Sequence, residues 1–224
     1  MADDRVRKIS FTGSTAVGKV LARDAAATMK RLSMELGGDA PFIVFDDADM
    51  ESAIPTAVAA AFTNQGQVCL CGSRLLVQEG VFERVRDGVV AAARAMRPGD
   101  PSVLTTTFGS LTSRAHLDKV HTMVEAARKA GGVVHCGGSP VPAGDLPARC
   151  KGGAFYPPTV ISGLDPACSV EREEIFGPVV TVQAFHDEAH ALKLANATPY
   201  LQAFGHTVLA WIWLDETMAN PESS

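Results

Sequence analysis

No apolar run in the 224-residue chain approaches the roughly 20 residues that a helix needs to span a bilayer. The opening segment, Met1 to Arg7, lacks the apolar stretch of a secretory signal. A cytoplasmic location is therefore expected. Basic charge is in deficit: 20 Lys and Arg stand against 25 Asp and Glu, a net charge of −5. That argues against nucleic-acid or membrane-surface partners, because anionic surfaces are bound by clustered cations. The five cysteines (69, 71, 136, 150 and 168) are odd in number and have no CxxC spacing. This argues against a disulfide scaffold and a structural zinc site, and leaves each thiol as a small apolar residue or a reactive one. No internal repeat and no low-complexity linker interrupts the chain.

What is present is the composition of a soluble globular protein, 46% hydrophobic with 20 Gly and 13 Pro, long enough for one large domain or for one domain and part of another. Strand-like runs at 8–12, 31–36, 41–45, 73–78, 133–136 and 179–185 alternate with helical ones at 17–29, 50–62, 81–96, 110–130 and 187–197. Phe155 to Ile161 reads as extended, with Pro157-Pro158 barring it from a central position. The alternation predicts an α/β fold with a mostly parallel sheet. The tail breaks the rhythm. Val208 to Leu214 is apolar on every side, with no turn and strand after it, and it reads as a poorly integrated end rather than a buried strand.

Three stretches carry candidate chemistry. Strand 8–12 runs through Gly13-Ser14-Thr15 into a helix, the layout in which free backbone N–H groups meet an anion; the plainer alternative is a helix cap by Ser14 or Thr15. Glu35 ends the second strand between Met34 and Leu36, either solvated at the surface or held in an apolar site as a general base. Asn64-Gln65-Gly66 closes an Ala-rich helix with a C-cap signature, and Gln67-Val68-Cys69 follows, a thiol at a helix end. Cys71, two residues on, is either a packing residue or a partner for Cys69 in a reversible disulfide. His186 and His190 are four apart, but Asp187 stands where a zinc helix requires Glu, and His186 falls before the Asp187 N-cap.

Together, Phe11 to Gly18, Glu35 to Gly38, Asn64 to Cys69 and Glu173 to Pro178, in this order and spacing, resemble the aldehyde dehydrogenase superfamily, over residues 5 to about 199. The resemblance implies that Cys69 is the nucleophile that forms a thiohemiacetal and then a thioester. It implies that Glu35 activates the water that releases the acid. Gly13 and Ser14 fall at the pyrophosphate of NAD or NADP, Val17 on the adenine side, Leu36 and Gly37 at the nicotinamide end. Glu174 matches the carboxylate that holds the nicotinamide ribose, with Phe176 beside that ring. The implied partner is a small-molecule aldehyde, and relatives of this kind are homo-oligomers.

The run from Asn64 through Arg74, with Asp145 to Arg149, Phe155 and Pro158 to Ile161, is most similar to the group acting on 2-aminomuconic or 2-hydroxymuconic semialdehyde. Succinic semialdehyde dehydrogenases also match, but usually carry Arg where this chain has Thr63. The expected domains are the end of a cofactor-binding domain (1–36), an aldehyde dehydrogenase-like catalytic domain (37–199) and an atypical tail (200–224). The family's first cofactor strands, the Asn that completes its oxyanion hole and its ribose-gripping Lys have no counterpart here. After Pro199-Tyr200 the sequence departs from the pattern, so the chain reads as a fragment. The alternative to a dehydrogenase is a remnant whose Cys69 and Glu35 support at most esterase-like turnover.

Overall fold

The computed structural model describes residues 3–196. The chain divides into two compact units, Met1–Gly38 and Asp39–Ser224. In the first, strand β1 (Lys8–Gly13), helix α1 (Thr15–Ala26) and strand β2 (Arg31–Leu36) make a parallel β-α-β crossover, with Thr12 opposite Glu35 and Gly13 opposite Leu36. Ser14 caps α1, its Oγ accepting from the Val17 N–H at 3.4 Å. Because that cap fixes the first turn, the helix starts two residues before the expected Val17. It ends at Ala26 rather than Met29, whose φ of +52° lies outside helical backbone.

The second unit is a five-stranded sheet in the order β3-β4-β7-β6-β5, built from β3 (Pro41–Val44), β4 (Arg74–Gln78), β5 (Val133–Cys136), β6 (Thr159–Ser162) and β7 (Val179–Phe185). Every neighbouring pair is parallel except β5 and β6, so the fold is mixed α/β with mostly parallel pairing. Helices α2 (Met50–Phe62), α3 (Phe82–Ala95), α4 (Arg114–Lys129) and α5 (Glu188–Ala195) cover it.

Both faces are buried, which explains why β4 and β7 read as near-continuous apolar runs. Successive strand residues point to opposite faces. Leu75 and Val77 pack with Ala57, Ala61, Val85 and Val89 of α2 and α3. Leu76 packs instead with Phe185, Ala191 and Leu194 on the side of α5. A further cluster joins Leu117, Val120 and Val124 of α4 to Tyr156, Ile161 and Val179. Each fully buried aliphatic side chain of this kind contributes about 1.5–3 kcal/mol.

Two expectations are corrected. Helix α4 begins at Arg114, not Ser110: Ser113 is its N-cap, and Leu111 is held in extended backbone by an N–H bond of 2.9 Å to the Ala154 carbonyl. Strand β6 is interior, between β7 and β5. Pro157 and Pro158 do not bar it because both precede its first residue, so no ladder donor is lost. As expected, His186 precedes the Asp187 N-cap of α5. The apolar run 208–214 and the tail 200–224 lie outside the described residues. No described helix is long and apolar enough to cross a membrane.

Candidate active site

The turn that carries Cys69 follows directly on α2. Asn64, Gln65 and Gly66 adopt φ of +50°, +57° and +68°, three consecutive left-handed residues that reverse the chain. Left-handed backbone costs an L-residue roughly 1–2 kcal/mol, so such a run persists only when its surroundings hold it. Asn64 is among the L-residues that tolerate this backbone best, and its Nδ2 donates to the Gln67 carbonyl at 3.2 Å. The Cys71 N–H then closes a turn onto the Val68 carbonyl at 3.0 Å, with Cys69 and Leu70 at its corners. Cys69 is half-buried and Leu70 exposed.

Cys69 and Cys71 are both free thiols. Cys71 is buried, and its Sγ lies 4.0 Å from the Thr63 carbonyl. Burial pushes its thiol up, with the Cys69 and Glu174 charges adding to the rise. Of the two roles open to Cys71, the buried packing residue is the one this geometry supports.

A second turn, Glu174 to Gly177, packs against the first. Phe176 has a φ of +59°, rare for an aromatic residue. A Cβ on Gly66 would overlap the Gly177 carbonyl, so the two backbones touch where Gly66 has no side chain. Cys69, Glu174 and Phe176 thus lie on two segments of one unit whose backbones meet at Gly66 and Gly177. Glu174 is half-buried and electrostatically close to Cys71 and Asp39. The other expected site residues belong to the first unit. Gly13, Ser14 and Val17 are exposed around the start of α1, and Leu36 packs on Gly18. Glu35 is exposed on β2, the solvated one of its two readings. A cavity of about 300 Å³ lined by Arg94, Arg97, Cys136 and Asp145 includes none of these residues.

Around the start of β4 lies a polar cluster that the sequence did not reveal. Arg74, 2% exposed at the start of β4, pairs through Nε with Asp39 Oδ2 at 3.1 Å. Ser73 Oγ donates to Asp39 Oδ1 at 2.5 Å, and Thr181 Oγ1 donates to Glu171 Oε2 at 3.0 Å. Burial pushes Asp39 up to about 6, opposed by Arg74 and Ser73. Burial pushes Glu171 up to about 7, opposed by the Thr181 bond, with the Asp39 charge adding to the rise. The folded chain thus takes up a proton at Glu171 that the unfolded chain releases near the ordinary carboxylate value. That contribution to stability is complete below about pH 4.5 and is lost as the pH rises through about 7. Glu171→Gln keeps the acceptor for Thr181 and removes the titration. From pH 5 to 8 the wild-type chain is expected to lose on the order of 2 kcal/mol of unfolding free energy relative to the variant. Urea titrations at the two pH values measure this, and a constant difference would refute the assignment.

His116, also missed, sits in the first turn of α4, with its Nε2 2.6 Å from the Phe176 carbonyl. A histidine on a helix face gives no sequence signal of such a bond, because its partner is 60 residues away.

The sequence profile of the aldehyde dehydrogenase family matches residues 1–205. Succinate-semialdehyde dehydrogenase of Paenarthrobacter nicotinovorans is 43% identical over 200 residues, which cover 89% of this chain and 43% of the relative. 2-Aminomuconic semialdehyde dehydrogenase of Danio rerio is 42% identical over 192 residues, covering 86% of this chain and 39% of the relative. A crystal structure of betaine aldehyde dehydrogenase from Staphylococcus aureus in complex with NAD+ superposes with a TM-score of 0.80 at 34% identity, covering 87% of this chain and 38% of that one. The chain therefore spans less than half the length of the relatives it matches. With a family match over most of its length and the same fold, the chain belongs to the aldehyde dehydrogenase family.

Proposed function

We propose that the chain carries the thiol half of an NAD(P)-dependent aldehyde oxidation, with Cys69 as nucleophile. The observation that carries this reading is the half-buried Cys69 at the corner of the Val68–Cys71 turn, just after the left-handed run 64–66 that is seated on Gly177, in a chain of this family. A thiolate attacks the aldehyde carbon and the carbonyl oxygen becomes an oxyanion, toward which the Cys69 backbone N–H is the local donor. NAD(P), when bound, supplies the hydride acceptor for this oxidation. Cys69 then holds the acyl group as a thioester, and Glu35 takes a proton from the water that releases the carboxylate and the thiol.

The chemistry of the available groups fits such a cofactor. The capped start of α1 offers backbone N–H donors suited to a pyrophosphate at Gly13 and Ser14, with Val17 as an apolar neighbour. Leu36 ends β2 and Gly37 follows it. In the second unit, Glu174 offers a carboxylate for ribose hydroxyls and Phe176 an aromatic face. In this reading residues 1–36 are the end of a cofactor-binding domain and 37–199 the catalytic domain.

A muconic semialdehyde is the proposed substrate, supported by Thr63, Asp145 to Arg149 and Pro158 to Ile161. The test is NADH formation from 2-hydroxymuconic and succinic semialdehydes, read by absorbance. Cys69→Ser is expected to lower the rate at least 100-fold, and the muconic substrate to be preferred. Wild-type turnover in that variant would end the proposal. The second reading is a reactive-thiol protein in which Cys69 and Glu35 support at most esterase-like turnover. Hydrolysis of an activated ester by Cys69 without NADH formation is the result that reading requires.

A further inference from the structure

The Cys69 turn and the Glu174–Gly177 turn are brought together by the start of one helix. Residues 116, 119 and 120 of α4 lie on the same face, three and four apart. His116 Nε2 is 2.6 Å from the Phe176 carbonyl, and the two rings meet edge to face at 6.0 Å. Lys119 Nζ donates to the Glu174 carbonyl at 3.3 Å. Val120 packs so closely on Gly177 that a Cβ there would lie 2.6 Å from its Cγ2. Just before the helix, the Thr112 N–H donates to Gln67 Oε1 at 2.9 Å. Segment 112–120 therefore grips both turns, and Gly177 is held between Val120 on one side and Gly66 on the other.

We propose that His116 is a positioning residue whose hydrogen bond to the Phe176 carbonyl holds the Glu174–Gly177 turn in register with the turn carrying Cys69. A carbonyl oxygen only accepts, so Nε2 carries the proton whether the ring is neutral or cationic. The bond opposes the tendency of Phe176 to leave its left-handed backbone. Losing it frees Gly177, and with it the surface on which Gly66 rests. The strut thereby couples the carboxylate and aromatic ring proposed for the cofactor to the thiol proposed for the aldehyde. In that respect it rests on the dehydrogenase reading.

Hydrogen exchange of the 224-residue chain, resolved by peptide, tests it. His116→Phe keeps a ring but has no donor, and His116→Gln restores a side-chain N–H. The expected result is exchange at least tenfold faster in both 64–71 and 173–178 for His116→Phe, with α3 unchanged and with His116→Gln within threefold of wild type. Wild-type exchange in His116→Phe would overturn the proposal. So would acceleration confined to 173–178, since the coupling would then be absent. Uniform acceleration that includes α3 would mark general destabilisation and would overturn it as well. The same proteins can be assayed for NADH formation, where His116→Phe is expected to raise the cofactor KM at least fivefold with a smaller change in kcat. A wild-type chain that forms no NADH would refute the dehydrogenase reading and leave the exchange result to judge the strut.

Discussion

Replacing Arg74 with methionine is expected to lower the unfolding free energy of the chain by about 3–5 kcal/mol, the range for removing one partner of a buried ion pair. The guanidinium is buried at the start of β4 and bonds in three directions. Nε pairs with Asp39 Oδ2 at 3.1 Å, Nη1 donates to the Leu194 carbonyl at 2.9 Å, and Nη2 donates to the Asp39 and Ala195 carbonyls at 3.1 and 3.0 Å. Methionine conserves much of the apolar volume but leaves Asp39 with an uncompensated charge and the end of α5 with two buried carbonyls lacking these donors. Asp39 and Glu171 would then favour their protonated forms still more, so the loss should shrink as the pH falls toward 5. Urea unfolding followed by circular dichroism at pH 8 and pH 5 measures both effects. A loss below about 1 kcal/mol at pH 8 would mean that the cluster is hydrated rather than buried. Arg74→Met with Asp39→Asn should recover part of the loss, because the pair is removed together.

The Arg74 cluster marks where the sequence stopped being legible. The parallel strands were readable because burial on both faces writes itself as unbroken apolar runs such as Val179 to Phe185. The helices were readable from their periodicity, although their ends depended on caps whose strength is local. Ser113 ended the expected extension of α4 back to Ser110, since one hydroxyl on the His116 N–H and one strand-like pair at Leu111 outweighed propensity. The prolines before β6 misled because a missing donor matters only inside a ladder, and these two stop one residue short of it.

At the candidate site, Cys69, Glu174 and Phe176 could be nominated from the sequence because each lies in a short motif whose neighbours are sequence-local. Asp39, Arg74 and Glu171 were not. They are 35 and 97 residues apart in order along the chain, and only the pairing of Arg74 with Thr181 across β4 and β7 brings them together. His116 was hidden for the same reason. The environment of Glu35 was the opposite case: its place at a strand end was clear, but the sequence left open whether the carboxylate is solvated, and on β2 of the first unit it is exposed.

Gly66→Ala is expected to cost about 3 kcal/mol or more, because two penalties fall on one atom. The first is conformational: φ is +68°, where an L-residue is less stable than glycine by about 1 kcal/mol. The second is steric. The new Cβ would overlap the carbonyl of Gly177 and lie 3.2 Å from the Ala61 carbonyl. Both neighbours are backbone, so neither can swing aside as a flexible side chain would. Relief requires one turn to separate from the other. Gly131→Ala separates the two penalties, since Gly131 also has a positive φ, +91°, but a Cβ there would meet nothing within 4 Å. That variant should lose only about 1 kcal/mol. The difference between the two urea midpoints therefore measures how tightly the Cys69 turn is seated on Gly177. Equal losses would mean that the turns separate freely and that the seat does not position the thiol. If the seat is as rigid as the backbone contact implies, Gly66→Ala should also accelerate exchange in 64–71 and 173–178 together. The same paired response is expected when the His116 strut is cut, because both changes part the same two turns from opposite sides.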